Sequence, residues 1–267
     1  MQEDLVSVIM PTYNSGKFLK ESIESILGQT YHNVELLITD DASSDAATIE
    51  MLNDFMRKDK RVDVLFLKEN RGPGFARNQS IDRAKGRYIA FCDSDDRWST
   101  DKLEKQIAFM QQKNCALSCA AYLRFDENDR IKGLDIPPRT ITFGMMKRDD
   151  KVGCLTAVYD TQLLGRKFYM PSIRKRQDWA LFLQIIRECR VCYAYTEKPL
   201  AYYRVRQNSI SSKKASLVKY NIAVYRDILG FSKVKAYLYF CFLFMPTYIL
   251  KVLKRRLDSR KAVSLQG

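Results

Sequence analysis

Four short apolar segments alternate with amphipathic segments over the first hundred residues, and this alternation constrains the fold more than any other feature. The apolar segments have the length and composition of buried strands, whereas the segments between them have the apolar spacing of helices. The predicted strands are residues 5–10, 34–39, 62–67 and 87–92, and the predicted helices are residues 17–27, 49–56 and a third that ends near residue 84. Strands that alternate with helices favour a mostly parallel sheet flanked by helices, an α/β fold.

A polar turn follows each predicted strand directly: PTYN, DDASSD, NRGPG and DSDD. Ligands bind open α/β sheets at the carboxyl ends of the strands, so these four turns are expected to lie together at one edge. The last turn holds Asp93, Asp95 and Asp96, whose negative charges repel one another. It is either a solvated turn that caps the next helix, or a site at which carboxylates hold Mg²⁺ or Mn²⁺ together with a diphosphate.

The other turns favour the second interpretation when they are taken together. Tyr13 can stack on a base, Asp41 can accept a hydrogen bond from a uracil or thymine imide, and Arg71 can bind a phosphate. Each has an ordinary alternative, namely a surface aromatic, a helix cap and an exposed charge. Their common position at one sheet edge indicates a nucleotide site.

VSVIMPTYN, ELLITDDASSD, NRGPGFARN and YIAFCDSDD, in this order and spacing, closely resemble the motifs of the family 2 glycosyltransferases. The resemblance covers residues 5 to 212 and implies the GT-A fold, an inverting transfer from a nucleotide-sugar, usually a UDP-sugar, and Mg²⁺ or Mn²⁺ as cofactor. By motif, it implies a donor site formed by Pro11, Thr12, Tyr13, Asp41, Arg71, Asp93, Ser94 and Asp95. Pro11, Thr12, Tyr13 and Asp41 correspond to the nucleoside pocket, and Asp95 corresponds to the metal ligand. Asp93 corresponds to the ribose-side aspartate, and Asp96 is expected to support the turn.

The family uses a carboxylate base, commonly an aspartate that follows a glutamate at the start of a helix. Asp178 of IRKRQDWALFL falls at that position, and Gln177 replaces the glutamate. The alternative is that Asp178 is a first-turn acid favoured by the helix dipole. The same stretch resembles members that build bacterial surface polysaccharides such as O-antigen and capsule, and in this setting a polyprenyl-diphosphate-linked saccharide is the expected acceptor.

The loop YYRVRQNSISSKK, residues 202–214, resembles the family's late loop that closes over the donor diphosphate. Arg206 stands where many relatives have a histidine, which argues against a metal ligand from this loop. We expect Arg204 or Arg206 to meet phosphate charge, with a solvated basic loop as the alternative. The chain has a single histidine, His32, so a carboxylate is the expected acid–base catalyst.

Later segments alternate less regularly. Residues 102–112 and 178–189 have helical spacing, residues 116–125 and 191–196 are predicted strands, and residues 126–150 are predicted to be loops. We divide the chain into a GT-A domain of residues 1–212, with a donor half of about 1–100 and an acceptor half of about 101–212, and a tail of residues 213–267. The seven scattered cysteines and the absence of a basic N-terminal leader indicate reduced thiols in the cytoplasm.

The tail carries most of the net charge of +14, with twelve Lys or Arg against Asp227 and Asp258. These charges surround residues 236–250, an uncharged aromatic-rich stretch interrupted by Pro246. As a helix it measures about 22 Å, shorter than the bilayer core of about 30 Å. It is either a helix packed on the catalytic domain or an amphipathic helix on the anionic inner face of the cytoplasmic membrane, and we favour the second. The segment is too apolar for a nucleic-acid-binding tail.

Two other classes of function remain open from the sequence. A nucleotidyltransferase also binds a metal–nucleotide on an α/β sheet, but PTYNSG has one glycine where that class has a glycine-rich loop. A catalytically inactive membrane-associated relative is the non-enzyme alternative, and the presence of Asp93, Asp95 and Asp178 argues against it.

Overall fold

The computed structural model describes residues 3–206 and 217–253, and its main element is a mixed eight-stranded sheet. One half of this sheet has four parallel strands in the spatial order β3-β2-β1-β4. These are β1 (Val6–Thr12), β2 (Val34–Asp40), β3 (Val62–Phe66) and β4 (Tyr88–Phe91), connected by α1 (Gly16–Leu27), α2 (Ala46–Lys58) and α3 (Pro73–Arg83). All seven residues of β1 are buried, as expected for a central strand covered on both faces. The predicted α/β fold with its strand and helix order is confirmed.

The other half of the large sheet is mixed, in the order β4-β10-β6-β11-β9. Strand β10 runs antiparallel to both of its neighbours, β6 and β11 pair in parallel, and β9 is an antiparallel edge strand. These strands are β6 (Leu117–Ala120), β9 (Thr140–Thr142), β10 (Val158–Asp160) and β11 (Val191–Tyr195). The sheet is therefore parallel in the half whose strands lead into the four motif turns, and it is mixed in the other half.

A second sheet of four strands has the order β5-β12-β7-β8. Its strands are β5 (Arg97–Trp98), β7 (Tyr122–Phe125), β8 (Ile131–Asp135) and β12 (Ala201–Arg204). The prediction of one strand over residues 116–125 is wrong, because the chain changes sheets at Ala121, whose N–H donates to the Tyr195 carbonyl while its own carbonyl accepts from Leu200 N–H. The chain then enters β7, which pairs with β12, and β12 also pairs with β5, the strand that directly follows the DSDD turn.

The prediction that residues 126–150 are loops is also wrong. They include β8, β9 and α5 (Phe143–Arg148). Strand β8 forms a hairpin with β7, and β9 pairs with β11. Helix α5 depends on distant partners: the indole N–H of Trp179 donates to the Met146 carbonyl at 2.7 Å, and the Tyr225 hydroxyl donates to the Lys147 carbonyl at 2.7 Å. Helices α4 (Lys102–Lys113), α6 (Thr161–Leu164) and α7 (Gln177–Cys189) complete this part of the chain.

The tail is helical where the structure describes it. Helix α8 (Leu217–Ala223) leads through a π-helical turn to α9 (Lys233–Leu253). Among the described residues, α9 is one helix that is long and apolar enough to cross a membrane. The apolar helix predicted for the tail is present, but Pro246 does not end it. A proline ring collides with the carbonyl four residues earlier, and here the residues just before Pro246 widen into a π-helical turn, Phe240–Phe244, that keeps the helix continuous.

Helix α9 buries one stripe against the acceptor half. Ala236, Phe240 and Phe244 are buried in the same core as α7. The ring of Phe244 lies 5.5 Å from that of Trp179, the residue after Asp178. The tail helix is thus packed on the helix that carries the candidate base.

Candidate active site

The DSDD turn follows β4 directly, and arginines from two other elements face its aspartates. Arg77 of α3 pairs with Asp93, and Arg206 Nη1 lies 3.2 Å from Oδ2 of Asp95. Burial and the charge of Asp93 raise the pKa of Asp95, and the guanidinium of Arg206 opposes them. The negative charge of the turn is therefore balanced by arginine in the protein itself.

Asp96 is the buried member of the turn, 2% exposed, and it supports the turn as expected. Its Oδ1 accepts a hydrogen bond from the backbone N–H of Arg204 at 2.8 Å, which ties the turn to β12. Burial, followed by the charges of Asp95 and Asp93, raises the pKa of Asp96 well above its ordinary value.

Arg204 has a structural role. The sequence-based expectation that either Arg204 or Arg206 meets phosphate charge is therefore wrong for Arg204. Its guanidinium is buried between the rings of Phe18 and Phe125, at 4.2 and 4.3 Å, and donates to the Asp95 carbonyl at 2.8 Å. It also pairs with Glu21. Arg206 is more exposed and lies at the carboxylate of Asp95, so of these two it is the candidate for phosphate contact; residues 207–214 of the late loop lie outside the described residues.

The end of β1 places Pro11, Thr12 and Tyr13 at the predicted edge. Pro11 lies beyond Ile9, the last residue of β1 paired in register with β4, so a central strand tolerates it. The Thr12 hydroxyl is buried without a hydrogen-bond partner in the described part of the chain, whereas the Tyr13 side chain is half exposed. A buried hydroxyl beside an exposed ring suits a nucleoside that hydrogen-bonds and stacks.

Asp41 organises the neighbouring turn. Its two carboxylate oxygens accept hydrogen bonds from the N–H groups of Arg71 and Gly72, at 2.8 and 2.7 Å. Gly72 has φ +87°, and Ala42, beside Asp41, has φ +61°, which is strained for a residue with a Cβ. The Arg71 side chain is half exposed and lies over the Phe75 ring at 3.7 Å. Asp41 thus holds the NRGPG turn, and its acceptance of a base imide hydrogen stays a prediction.

Two residues that we did not single out in the sequence join the turns. The Asn14 side-chain carbonyl accepts from the N–H groups of Ser44 and Asp45, which locks PTYN onto DDASSD. Ser15 Oγ lies 2.8 Å from Oγ of Ser94, which connects PTYN to DSDD. The four turns are therefore brought together as predicted, by side-chain bonds that no periodicity reveals.

No group of three or more metal-ligating side chains occurs in residues 3–206 and 217–253. The candidate donors are the carboxylates of Asp93 and Asp95. Mg²⁺ and Mn²⁺ usually take one or two protein carboxylates and complete their shell with phosphate oxygens and water. A pair of carboxylates beside the candidate nucleotide site fits such an ion.

Asp178 lies in the first turn of α7, after Arg176, whose φ of +68° is strained. The neighbouring Gln177 touches α3 so closely that a Cβ on Gly74 would come within 2.4 Å of its amide. Burial lowers the pKa of the Arg77 guanidinium, but nearby negative charge, chiefly that of Asp93 and to a smaller extent that of Asp178, outweighs it and raises the pKa. Arg77 therefore pairs with the donor-side aspartate and also feels the charge of the candidate base, although the sequence had shown it only as one polar residue in NRGPGFARN.

The family is established by comparison with known proteins. Residues 7–169 match the model of the family "Glycosyl transferase family 2", and the chain belongs to this family. It is 38% identical over 254 residues to TuaG of Bacillus subtilis, a glycosyltransferase assigned to teichuronic acid biosynthesis, covering 95% of this chain and 98% of TuaG. It is 37% identical over 219 residues to the Escherichia coli enzyme WfgD, a UDP-Glc:α-D-GlcNAc-diphosphoundecaprenol β-1,3-glucosyltransferase, covering 82% and 84% of the two chains.

Solved structures agree on the fold. Staphylococcus aureus TarS (residues 1–349) in complex with UDP-GlcNAc has a TM-score of 0.65 and 21% identity, covering 86% of this chain and 69% of that one. The Pyrobaculum calidifontis mannosyltransferase PcManGT, solved with GDP-Man and Mn²⁺, has a TM-score of 0.63 and 15% identity, covering 100% and 77%. The protein is a family 2 glycosyltransferase with the GT-A fold.

Proposed function

We propose that this glycosyltransferase moves a hexose from a UDP-sugar to a hydroxyl of a saccharide carried on a polyprenyl diphosphate, in the synthesis of a bacterial surface polysaccharide. The observation that carries the proposal is the close contact of Gln177, the residue before Asp178, with Gly74 at the start of α3. Gly74 follows the turn that Asp41 holds at the donor edge, so the candidate base lies beside that edge, as transfer between two substrates requires. WfgD and a second E. coli relative, WfaP, are named for donors and acceptors of this kind.

The proposed chemistry is a single in-line displacement with inversion at the anomeric carbon. Asp178 accepts the proton of the acceptor hydroxyl, whose oxygen attacks C1 of the donor sugar as the bond to the UDP oxygen breaks. A positioned carboxylate base contributes about 10²–10⁴-fold in rate. The donor is held by Pro11, Thr12, Tyr13, Asp41, Arg71, Asp93, Ser94 and Asp95.

Mg²⁺ or Mn²⁺ bound at Asp95 would supply positive charge to the departing diphosphate. Arg206 is placed to share that task, because its guanidinium already lies at Asp95 and is partly exposed. A metal ion at Asp95 would compete with Arg206 for the carboxylate, and the donor diphosphate would offer Arg206 another anionic partner.

Location on the inner face of the cytoplasmic membrane is the second part of the proposal. Helix α9 presents an apolar surface opposite its buried stripe, formed by Val234, Tyr237, Leu238, Cys241, Phe242, Ile249 and Leu250. At 21 residues it is about as long as the bilayer core is thick. A spanning helix would take its buried stripe away from Trp179 and the catalytic core, so we favour a helix lying along the surface.

The proposed division of the chain keeps residues 1–212 as the catalytic domain, with donor and acceptor halves that meet near residue 100, and residues 213–267 as the membrane segment. Packing of α9 on α7 makes the membrane segment a close neighbour of the acceptor half. A lipid-linked acceptor would then meet its base beside the surface on which it travels.

The direct test is a transfer assay with UDP-glucose, UDP-galactose and their N-acetyl forms, using GlcNAc-diphosphoundecaprenol as acceptor and Mn²⁺ as the ion. We expect one donor to give a larger lipid-linked saccharide and stoichiometric UDP. Absence of product and of UDP release with every donor would contradict the proposal and favour an inactive relative.

A further inference from the structure

Three buried polar atoms near Asp178 have no hydrogen-bond partner in the described residues: Oδ1 of Asp150, Nε of Arg176 and Nε of Arg77. Arg77 is 8% exposed, and its other contact is with Asp93. Buried polar groups are nearly always paired, because an unpaired one loses its hydration without compensation. Groups of this kind beside a catalytic base indicate a bound partner.

The turn after α5, which carries Asp150, packs against the start of α7, because the Trp179 indole N–H donates to the Met146 carbonyl at 2.7 Å and the Arg176 guanidinium lies 6.0 Å from the Trp179 ring. Burial raises the pKa of Asp150, and the charge of Asp178 raises it further, whereas the charge of Arg176 opposes this rise. Burial raises the pKa of the neighbouring Cys154 thiol, Arg77 opposes this, and Asp178 and Asp150 add to it. Helix α3, which carries Arg77, meets the start of α7 through Gly74 and Gln177.

The turn that carries Asp150 is held firmly from two sides. Lys151 Nζ and Lys251 Nζ lie 2.8 and 2.9 Å from Oδ2 of Asp149, whose side chain is buried. Lys251, from the end of α9, also donates to the Asp150 carbonyl oxygen at 3.1 Å. The backbone of Asp150 is thus fixed to the tail helix, while its carboxyl Oδ1 stays unpaired.

We propose that Asp150 and Arg176 form the acceptor subsite and bind hydroxyls of the acceptor sugar next to the one that Asp178 deprotonates. The inference rests on the proposed function and names residues for its acceptor. The ligand class follows from the groups present. A carboxyl disfavours a phosphate, two guanidinium groups disfavour a metal ion, and a sugar hydroxyl can both donate to Asp150 and accept from Arg176.

The test compares Asp150→Asn, which keeps the side-chain volume, and Arg176→Lys, which keeps the charge but loses the guanidinium fork. The acceptor is GlcNAc linked through a diphosphate to a short lipid chain. Transfer kinetics are measured beside slow hydrolysis of the UDP-sugar, in which water replaces the acceptor. Asp54→Asn, on the exposed side of α2, is the matched control.

Asn and Lys each keep one hydrogen-bonding group but lose the geometry of the original carboxyl or guanidinium, so the weakened bond predicts a rise in the acceptor KM of about threefold to tenfold in each variant. UDP-sugar hydrolysis, donor KM and Tm should stay near those of the wild type. An acceptor KM within about twofold of wild type overturns the subsite, and so does a parallel fall of hydrolysis and Tm in both variants, because that marks a structural role. A wild type that transfers to no acceptor overturns the proposed function and this inference with it.

Discussion

Arg206 Nη1 lies 3.2 Å from Oδ2 of Asp95, so an arginine holds the aspartate that we propose as the metal ligand. The pair joins the DSDD turn to the start of the late loop. A cation and Arg206 then compete for one carboxylate, and a donor diphosphate would resolve the competition by attracting both.

Replacing Arg206 should therefore help the metal and harm the reaction. Partly exposed ion pairs contribute about 0.2–1 kcal/mol, so Arg206→Ala should tighten Mn²⁺ binding without nucleotide by up to about fivefold. Transfer should fall, because the diphosphate loses a cation. Mn²⁺ affinity is measured by electron paramagnetic resonance, with Arg57→Ala on α2 as control. Unchanged Mn²⁺ affinity would show that Arg206 does not compete for Asp95.

Asp95→Ala should abolish transfer and remove the part of UDP affinity that depends on Mn²⁺, because it takes away a carboxylate ligand. Calorimetric titration with UDP, with and without Mn²⁺, distinguishes the loss of metal-dependent UDP affinity from damage to the pocket that binds the nucleobase. Retained transfer in this variant with EDTA present would exclude Asp95 as the metal ligand.

Lys102 is fully buried, its Nζ has no hydrogen-bond partner in the described residues, and it lies 4.0 Å above the ring of Trp98. Burial lowers the pKa of Lys102 from 10.5 to about 7. Between these values the unfolded chain binds a proton that the folded chain lacks, so this group makes stability rise with pH by at most about 1.4 kcal/mol per unit.

Lys102→Met should remove that rise. The variant should exceed the wild type in free energy of unfolding most at pH 7 and below, and the difference should shrink towards pH 10. Urea unfolding at several pH values measures it, with exposed Lys113→Met as control. A difference that does not vary with pH would mean that Lys102 is not buried as a depressed amine.

The exposed face of α9 should hold the protein on anionic vesicles. A chain ending at Ser232 is a poor test, since it strips Ala236, Phe240 and Phe244 from the core. The double variant Leu238→Glu and Phe242→Glu leaves that stripe intact and should lose flotation with vesicles that contain phosphatidylglycerol. Bound wild type should be partly released by salt, as expected for a charge-assisted surface helix.

Ile136→Glu provides the matched control, because Ile136 is another exposed apolar residue, 59% accessible, and directly follows β8, far along the chain from α9. It should float like the wild type. Equal flotation of the α9 variant, or failure of the wild type to bind anionic vesicles, would leave α9 as a packing helix.

The sequence predicted the parallel half of the sheet well, because short apolar runs such as Val6–Thr12 lie between clear turns. It failed at Ala121, where one apolar run divides between two sheets. Nothing local marks that point, since it is fixed by hydrogen bonds to Tyr195 and Leu200, more than seventy residues away. Likewise, α5 within residues 126–150 is held by Trp179 of α7 and Tyr225 of the tail.

The motifs placed the candidate aspartates correctly at one edge but did not reveal what balances their charge. Arg77 and Arg206 come from other elements, and their contacts with Asp93 and Asp95 depend on how those elements pack. Arg204, which the sequence could not tell from Arg206, is buried because the rings of Phe18 and Phe125 and the carboxylate of Glu21 surround its guanidinium.

The most direct test of the account is Asp178→Asn, with kcat and UDP affinity measured on the same preparation and Asp63→Asn, a partly exposed aspartate of β3, as control. An amide cannot accept the acceptor proton, so we predict that kcat falls by about 10²-fold or more while UDP affinity stays near wild type. A collapse of UDP affinity, or a kcat close to that of the wild type, would contradict the assignment of Asp178 as the catalytic base.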